Sequence, residues 1–99
     1  MEVSSGNLGA TRLLRVQGRL DHSHAKEFET ALAPHLLGCT AAGSALVLDF
    51  SQVAYISSVG LRVLLLAAKQ VKAQQGRIAI AALTPIVTEV FEVSHFNLV

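Results

Sequence analysis

Residues 45–68, ALVLDFSQVAYISSVGLRVLLLAA, constrain the fold most, because one apolar run passes through a polar stretch into a second of different period. Ala45 to Phe50 is too short for a lone helix and apolar at nearly every position, the pattern of a central parallel strand covered on both faces. Asp49 and Ser51 end it. From Leu61, apolar residues recur at Leu64, Leu65, Ala68 and Val71, the spacing of one helical face, with Arg62, Lys69 and Lys72 off that stripe. The prediction is a strand, a polar loop from Ser51 to Gly60, and a helix. A helix start leaves its first N–H groups without intrahelical partners, and Ser58 is placed to cap one of them. Val59, Gly60 and Leu61 then form a first turn whose amides and dipole favour negative charge, so a phosphate on Ser58 would be stabilised. Gly60 costs about 1 kcal/mol relative to alanine inside a helix. It therefore calls for close approach by another backbone or a partner.

Upstream, residues 2–5 suit a short edge strand, Ser5 to Gly9 a turn, and Thr11 to Gln17 a second strand, largely covered. Gly18 to Asp21 then turns the chain. Asp21 or Ser23 can cap a helix whose buried stripe is Ala25, Phe28, Leu32 and Leu36, with Lys26, Glu27 and Glu29 outward. Pro34 ends or kinks that helix, and Gly38 to Ser44 is a loop. Downstream, Gln74-Gln75-Gly76 stops the helical pattern and Arg77 to Leu83 reads as a buried strand. Thr84 caps a third helix with Pro85 at its first position and Ile86, Val90 and Phe91 on its apolar face. That helix ends near Val93-Ser94-His95, and Phe96 to Val99 starts a last strand. Two opening strands followed by strand–helix alternation make an α/β sheet of mixed pairing, its later strands parallel and joined by right-handed crossovers. Sites in such sheets collect at the carboxyl ends of the strands.

With 99 residues, there is room for one domain. The net charge of +1, with no basic run, gives nucleic acid binding no support. The longest strictly apolar stretch, Val63 to Ala68, is far short of the ~20 residues that cross a bilayer. Met1 to Ala10 lacks the basic start and apolar core of a signal peptide, so no membrane insertion and a cytoplasmic location are expected. Cys39 is the single cysteine and reads as a small reduced core residue. His22, His24, His35 and His95 lack the cysteine or carboxylate neighbours of a metal site. Ser57-Ser58-Val59-Gly60 lacks the first glycine of a G-x-S-x-G hydrolase turn, and no lysine follows a glycine at phosphate-loop spacing. No catalytic residue, cofactor or metal is expected.

The stretch DFSQVAYISSVGLRVLLLAAKQ resembles the signature region of STAS domains, the anti-sigma factor antagonists (anti-anti-sigma factors) of bacterial partner-switching modules. GRLD at residues 18–21, the Thr84-Pro85 helix opening and FEVSHF at 91–96 extend the resemblance to nearly the whole chain. It implies a single STAS domain over residues 1–99, with an α/β STAS (anti-sigma factor antagonist-like) fold: a mixed sheet, an opening hairpin, later parallel strands, and helices mainly on one side. Family members usually carry glycine at the position of His95 and continue through a further helix. In that family the serine two positions before the glycine of S-x-G-L is phosphorylated by a kinase that doubles as the anti-sigma factor, and Ser58 occupies that position. Many members have an acidic residue before the acceptor and a second serine after it; here these are Ser57 and Val59. Ser57 is thus an alternative acceptor, and the missing carboxylate makes phosphate on Ser58 less costly.

The resemblance also brings the Asp21 turn near that loop. It implies a binding protein, not an enzyme, whose face comprises Asp21, Ser57, Ser58, Val59, Gly60, Arg62, Leu66 and Lys69. Arg62, Leu66 and Lys69 form a mixed stripe in which an exposed leucine flanked by bases suits protein docking. The implied partners are an ATP-binding anti-sigma factor serine kinase and a PP2C-type phosphatase. The alternative is a STAS scaffold subunit of a membrane transport ATPase or a stress-sensing complex, with Ser58 only a cap.

Overall fold

The computed structural model describes residues 1–93. The expected strand from Phe96 and the His95 helix end lie outside the described residues. In chain order the elements are β1 (Glu2–Leu8), β2 (Thr11–Leu20), a 3-10 turn (His22–His24), α1 (Ala25–Leu37), β3 (Ala45–Ile56), α2 (Ser58–Ala73), β4 (Ile78–Ala81) and α3 (Pro85–Val93). The sheet order is β1-β2-β3-β4, with β1 antiparallel to β2 and both later pairs parallel. This is the mixed α/β sheet with an opening hairpin that the sequence implied.

Several boundaries differ from the expected ones, and pairing explains the differences. β1 runs to Leu8 rather than stopping at Ser5, because β2 offers it partners down to Leu8↔Thr11. The turn is Gly9-Ala10, with Gly9 at φ +61°. β2 continues past Gln17 to Leu20 through Gly18, whose φ of +111° suits glycine and not an L side chain. β3 is twice as long as Ala45–Phe50, and the expected loop from Ser51 is mostly strand. Between Arg15↔Asp49 and Gln17↔Gln52, and again between Gly18↔Val53 and Arg19↔Tyr55, β3 spends one more residue than β2. Each extra residue is a bulge. Asp49 Oδ1 accepts the Ser51 N–H at 2.9 Å beside the first.

The bulges keep the apolar residues of β3 on one side. Leu46, Leu48 and Phe50 alternate normally, and Val53 and Ile56 follow at intervals of three, yet all five are buried. Against them lie Ala25, Phe28, Leu32 and Leu36 of α1, the stripe predicted, with Phe28 edge-on to Phe50 at 6.5 Å between ring centroids. α1 passes through Pro34 and ends at Leu37, so the proline does not terminate it. On α2 the buried set is Gly60, Leu61, Val63, Leu64, Ala67 and Val71; Leu65 and Ala68 are only half-buried, which rotates the stripe from the expected one. The other face of the sheet is more open: Val47 and Asp49 are half-buried and Arg15 is exposed, so β3 is not covered on both faces and β2 is covered on one. β4 alternates half-buried and exposed residues instead of being fully buried.

α3 turns Phe91 inward and packs Val90 against the core as expected, but Val87 is buried in place of Ile86, which is half exposed. The Thr84 hydroxyl donates to the Val53 carbonyl at 3.0 Å, tying the start of α3 to β3. At the far end of α2, the Gln74 side-chain amide donates to the carbonyls of Leu36 and Cys39, both at 2.9 Å. These contacts hold the two helix ends to neighbouring elements. Phe28→Ala should cost about 3–5 kcal/mol by leaving a cavity against Phe50. Ile86→Ser should change stability by less than about 0.5 kcal/mol. Urea unfolding of both variants checks the core assignment, which fails if the two losses are alike.

Candidate functional site

The junction between β3 and α2 is a single residue, Ser57. Its backbone is extended (φ −92°, ψ 171°) and its Oγ accepts the Gly60 N–H at 3.2 Å, while its carbonyl accepts the Leu61 N–H at 2.9 Å. Ser57 is therefore the N-cap, and the capping role expected of Ser58 is corrected. Two adjacent serines can each cap, and the one that leaves β3 in extended geometry takes the task. Ser58 becomes the first residue of α2, and it is exposed.

The close approach expected at Gly60 is to backbone within the chain. A Cβ there would lie 2.8 Å from the Leu20 carbonyl oxygen and 3.0 Å from side-chain atoms of Leu20 and Ile56. The same Leu20 oxygen accepts the Ser57 N–H at 3.0 Å. The end of β2 thus fixes both the exit of β3 and the first turn of α2. Gly60→Ala should lose about 1–3 kcal/mol by overpacking against backbone. That loss exceeds the roughly 1 kcal/mol gained in helix propensity, and denaturant unfolding measures the balance.

Asp21 follows Leu20 directly, which brings it to the same end of the sheet as the start of α2. Its Oδ1 accepts from the Ser23 hydroxyl at 2.9 Å and the His24 N–H at 3.2 Å, and lies 2.7 Å from His24 Nδ1. Its Oδ2 is 3.6 Å from Arg19 Nε, and the Arg19 guanidinium stands 4.6 Å over the Tyr55 ring. Asp21 caps the 3-10 turn, which packs against α2. The cap expected of Asp21 or Ser23 on α1 itself is corrected: α1 starts after His24 with no side-chain cap, Asp21 capping the intervening 3-10 turn and Ser23 donating to Asp21. The Arg19–Tyr55 pair was not foreseen, since it needs the cross-strand register.

Arg62, Val59 and Leu66 line a shallow groove of about 240 Å³ with His22, Ala25 and Lys26. Leu66 is 48% exposed there. A second hollow of about 320 Å³, between Leu32, Leu36, Leu66 and Gln70, continues it along α1 and α2. Lys69 is exposed on α2 and lines neither hollow. His22 and Lys26 were not singled out from the sequence as walls of this surface, because only the packing of the 3-10 turn and of α1 beside α2 brings them to Arg62. A separate cleft of about 680 Å³ opens between α2 and β4, near Leu64, Val71, Ile80 and Phe91, and shares no residue with the Ser58 surface. No helix among the described residues is long and apolar enough to cross a membrane.

Hydrogen bonds from Ser23, and then from His24, lower the pKa of Asp21 from 3.8 to about 2. A depressed carboxyl pKa adds stability that is fully present above pH 3.8 and is lost as the pH falls through about 2. Carboxyl-carbon NMR should place the Asp21 midpoint near 2, and Ser23→Ala should move it back toward 3.8.

The family model described as "Mlab, STAS domain" matches residues 5–98. Over 96 residues the chain is 35% identical to BtrV of Bordetella bronchiseptica, named as a proposed anti-sigma factor antagonist, covering 97% of this chain and 80% of BtrV. Among solved structures, an anti-sigma factor antagonist from Mycobacterium paratuberculosis aligns with a TM-score of 0.84 at 21% identity, over 98% of this chain and 80% of that one. The Bacillus cell fate determinant SpoIIAA in its phosphorylated form aligns with a TM-score of 0.70 at 18% identity, over 98% and 86%. At those identities the two structures establish the fold. The match along the sequence goes further: the chain belongs to the STAS domain family, the family of the anti-sigma factor antagonists.

Proposed function

We propose that this single STAS domain is an anti-sigma factor antagonist of a partner-switching module, acting in the cytoplasm by binding and not by catalysis. The surface around Asp21, Ser57, Ser58, Val59, Gly60, Arg62 and Leu66, with Lys69 at its margin, docks onto an ATP-binding anti-sigma serine kinase and so frees that kinase's other client. The kinase then transfers phosphate to Ser58. In that step the Ser58 oxygen bonds to the γ-phosphorus, the bond to the β-phosphate oxygen breaks, ADP leaves, and the hydroxyl proton passes to a base on the kinase. A PP2C-type phosphatase reverses the modification by hydrolysis.

The observation that carries this reading is the division of labour between the two serines. Ser57 Oγ is engaged with the Gly60 N–H, while Ser58 sits exposed on the first turn of α2. The likeness to BtrV and to the SpoIIAA structures supports the same reading. Phosphate adds about −1.5 to −2 charges. Covered by a close-packed partner, that charge loses its water without compensation, and a penalty of ~3 kcal/mol weakens binding more than a hundredfold. Within the domain the amides and dipole of the α2 start tolerate it, so no unfolding accompanies the switch.

The serines can be separated by experiment. Ser58→Ala should leave stability nearly unchanged and abolish phosphate incorporation from the cognate kinase and ATP. Ser57→Ala should cost about 1 kcal/mol of stability through loss of the cap and still be phosphorylated. Incorporation that persists undiminished in Ser58→Ala excludes Ser58 as the acceptor. Kinase binding unchanged by Ser58→Asp would instead favour a scaffold role.

A further inference from the structure

We propose that Arg62 receives the phosphate placed on Ser58, and that this pairing within one helix withdraws a cation from the groove that the partner covers. The inference rests on the reading of Ser58 as the acceptor. Ser58 and Arg62 are one turn apart on the same exposed side of α2. Residues four apart have Cβ atoms roughly 5–6 Å from each other, and an anion N-terminal to a cation is the favoured order. Long side chains on a helix lean back toward its N-terminus, which carries the Arg62 guanidinium toward residue 58. A guanidinium also matches phosphate with two parallel N–H donors, which an ammonium does not.

The other charged groups near the groove are less available for this pairing. Lys26 Nζ is 3.0 Å from Glu29, both on α1. Arg19 lies over Tyr55 and beside Asp21. Lys69 is about three turns from Ser58, on the order of 16 Å along the axis. His22, on the 3-10 turn, faces the groove without an ion pair among the described residues, and so does Arg62. In the unmodified protein Lys26 and Glu29, both lining the groove, offset each other, so Arg62 is the cation it offers beside Val59 and Leu66, a surface that fits an acidic side chain set among apolar ones. Phosphate on Ser58 changes that surface twice. It adds an anion, and it binds the guanidinium that a partner's carboxylate would otherwise meet.

The test uses the full chain with phosphoserine incorporated at residue 58 during synthesis, so that no kinase is needed. Phosphorus NMR titration follows the second ionisation of the phosphate in the otherwise unchanged protein, in Arg62→Gln and in Arg62→Lys. The protein that keeps Arg62 should titrate roughly 0.2–0.4 unit below Arg62→Gln. Arg62→Lys should fall between them, and the gap should shrink in 1 M salt. The α2 start acts alike on all three, so the difference isolates the side chain. Coincident midpoints for the Arg62 protein and the Arg62→Gln variant, with both folded by thermal unfolding, overturn the pairing. If instead a kinase never modifies Ser58, the functional reading fails while the titration difference stands.

Discussion

The carbonyl oxygen of Leu20 holds together the end of the sheet where β3 passes into α2. It accepts the Ser57 N–H, and it lies where a Cβ on residue 60 would have to go. One backbone atom at the end of β2 thus decides where β3 stops, where α2 begins, and that the first turn of α2 must contain glycine. Asp21 follows immediately and is clamped by Ser23 and His24, so the next turn of chain is fixed to the same point. The exposed serine is held by backbone geometry on both sides and not by a mobile loop.

Elements whose period is undisturbed were legible in the sequence. The α1 stripe of Ala25, Phe28, Leu32 and Leu36 follows the helical repeat and packs as that repeat requires. β3 was read only as far as Phe50, because beyond it the buried residues come at intervals of three and no simple alternation survives. Those intervals depend on bulges, and bulges depend on a partner strand that local sequence does not reveal. On α3 one position, Ile86, was misjudged for a related reason. Ile86 and Val87 are equally apolar, and only the placement of Thr84 against Val53 selects Val87 for the core.

At the site, residue types were legible and their assignments less so. The sequence marked the serine pair, Gly60 and Asp21, and the structure gathers them at one end of the sheet. It could not say which serine caps the helix, since both are competent and the choice is made by the geometry with which β3 ends. The groove was half visible: Arg62 and Leu66 belong to one helical face, whereas His22 and Lys26 reach it only through the packing of the 3-10 turn and of α1 beside α2. Charge on this surface is consequently a tertiary property, shared by two segments far apart in the chain.

The two extra residues of β3 bear on how such a chain can change its length. Side chains alternate between faces along a strand, so adding or removing one residue inverts everything downstream until the register is restored. With both bulges present, Ile56 reaches the interior just as the strand gives way to Ser57. Deleting Ser51 or Gln52 would remove the first bulge and restore one-to-one pairing with β2, leaving Val53 and Ile56 inside, whereas a residue inserted away from the bulges would point Ile56 toward solvent. Insertions in the hairpin at Gly9-Ala10 carry no such penalty, since that turn lies at the far end of the sheet. The turn can therefore change length freely, while between Asp49 and Gly60 only changes at the bulges themselves leave Ile56 and Ser57 where Leu20 holds them.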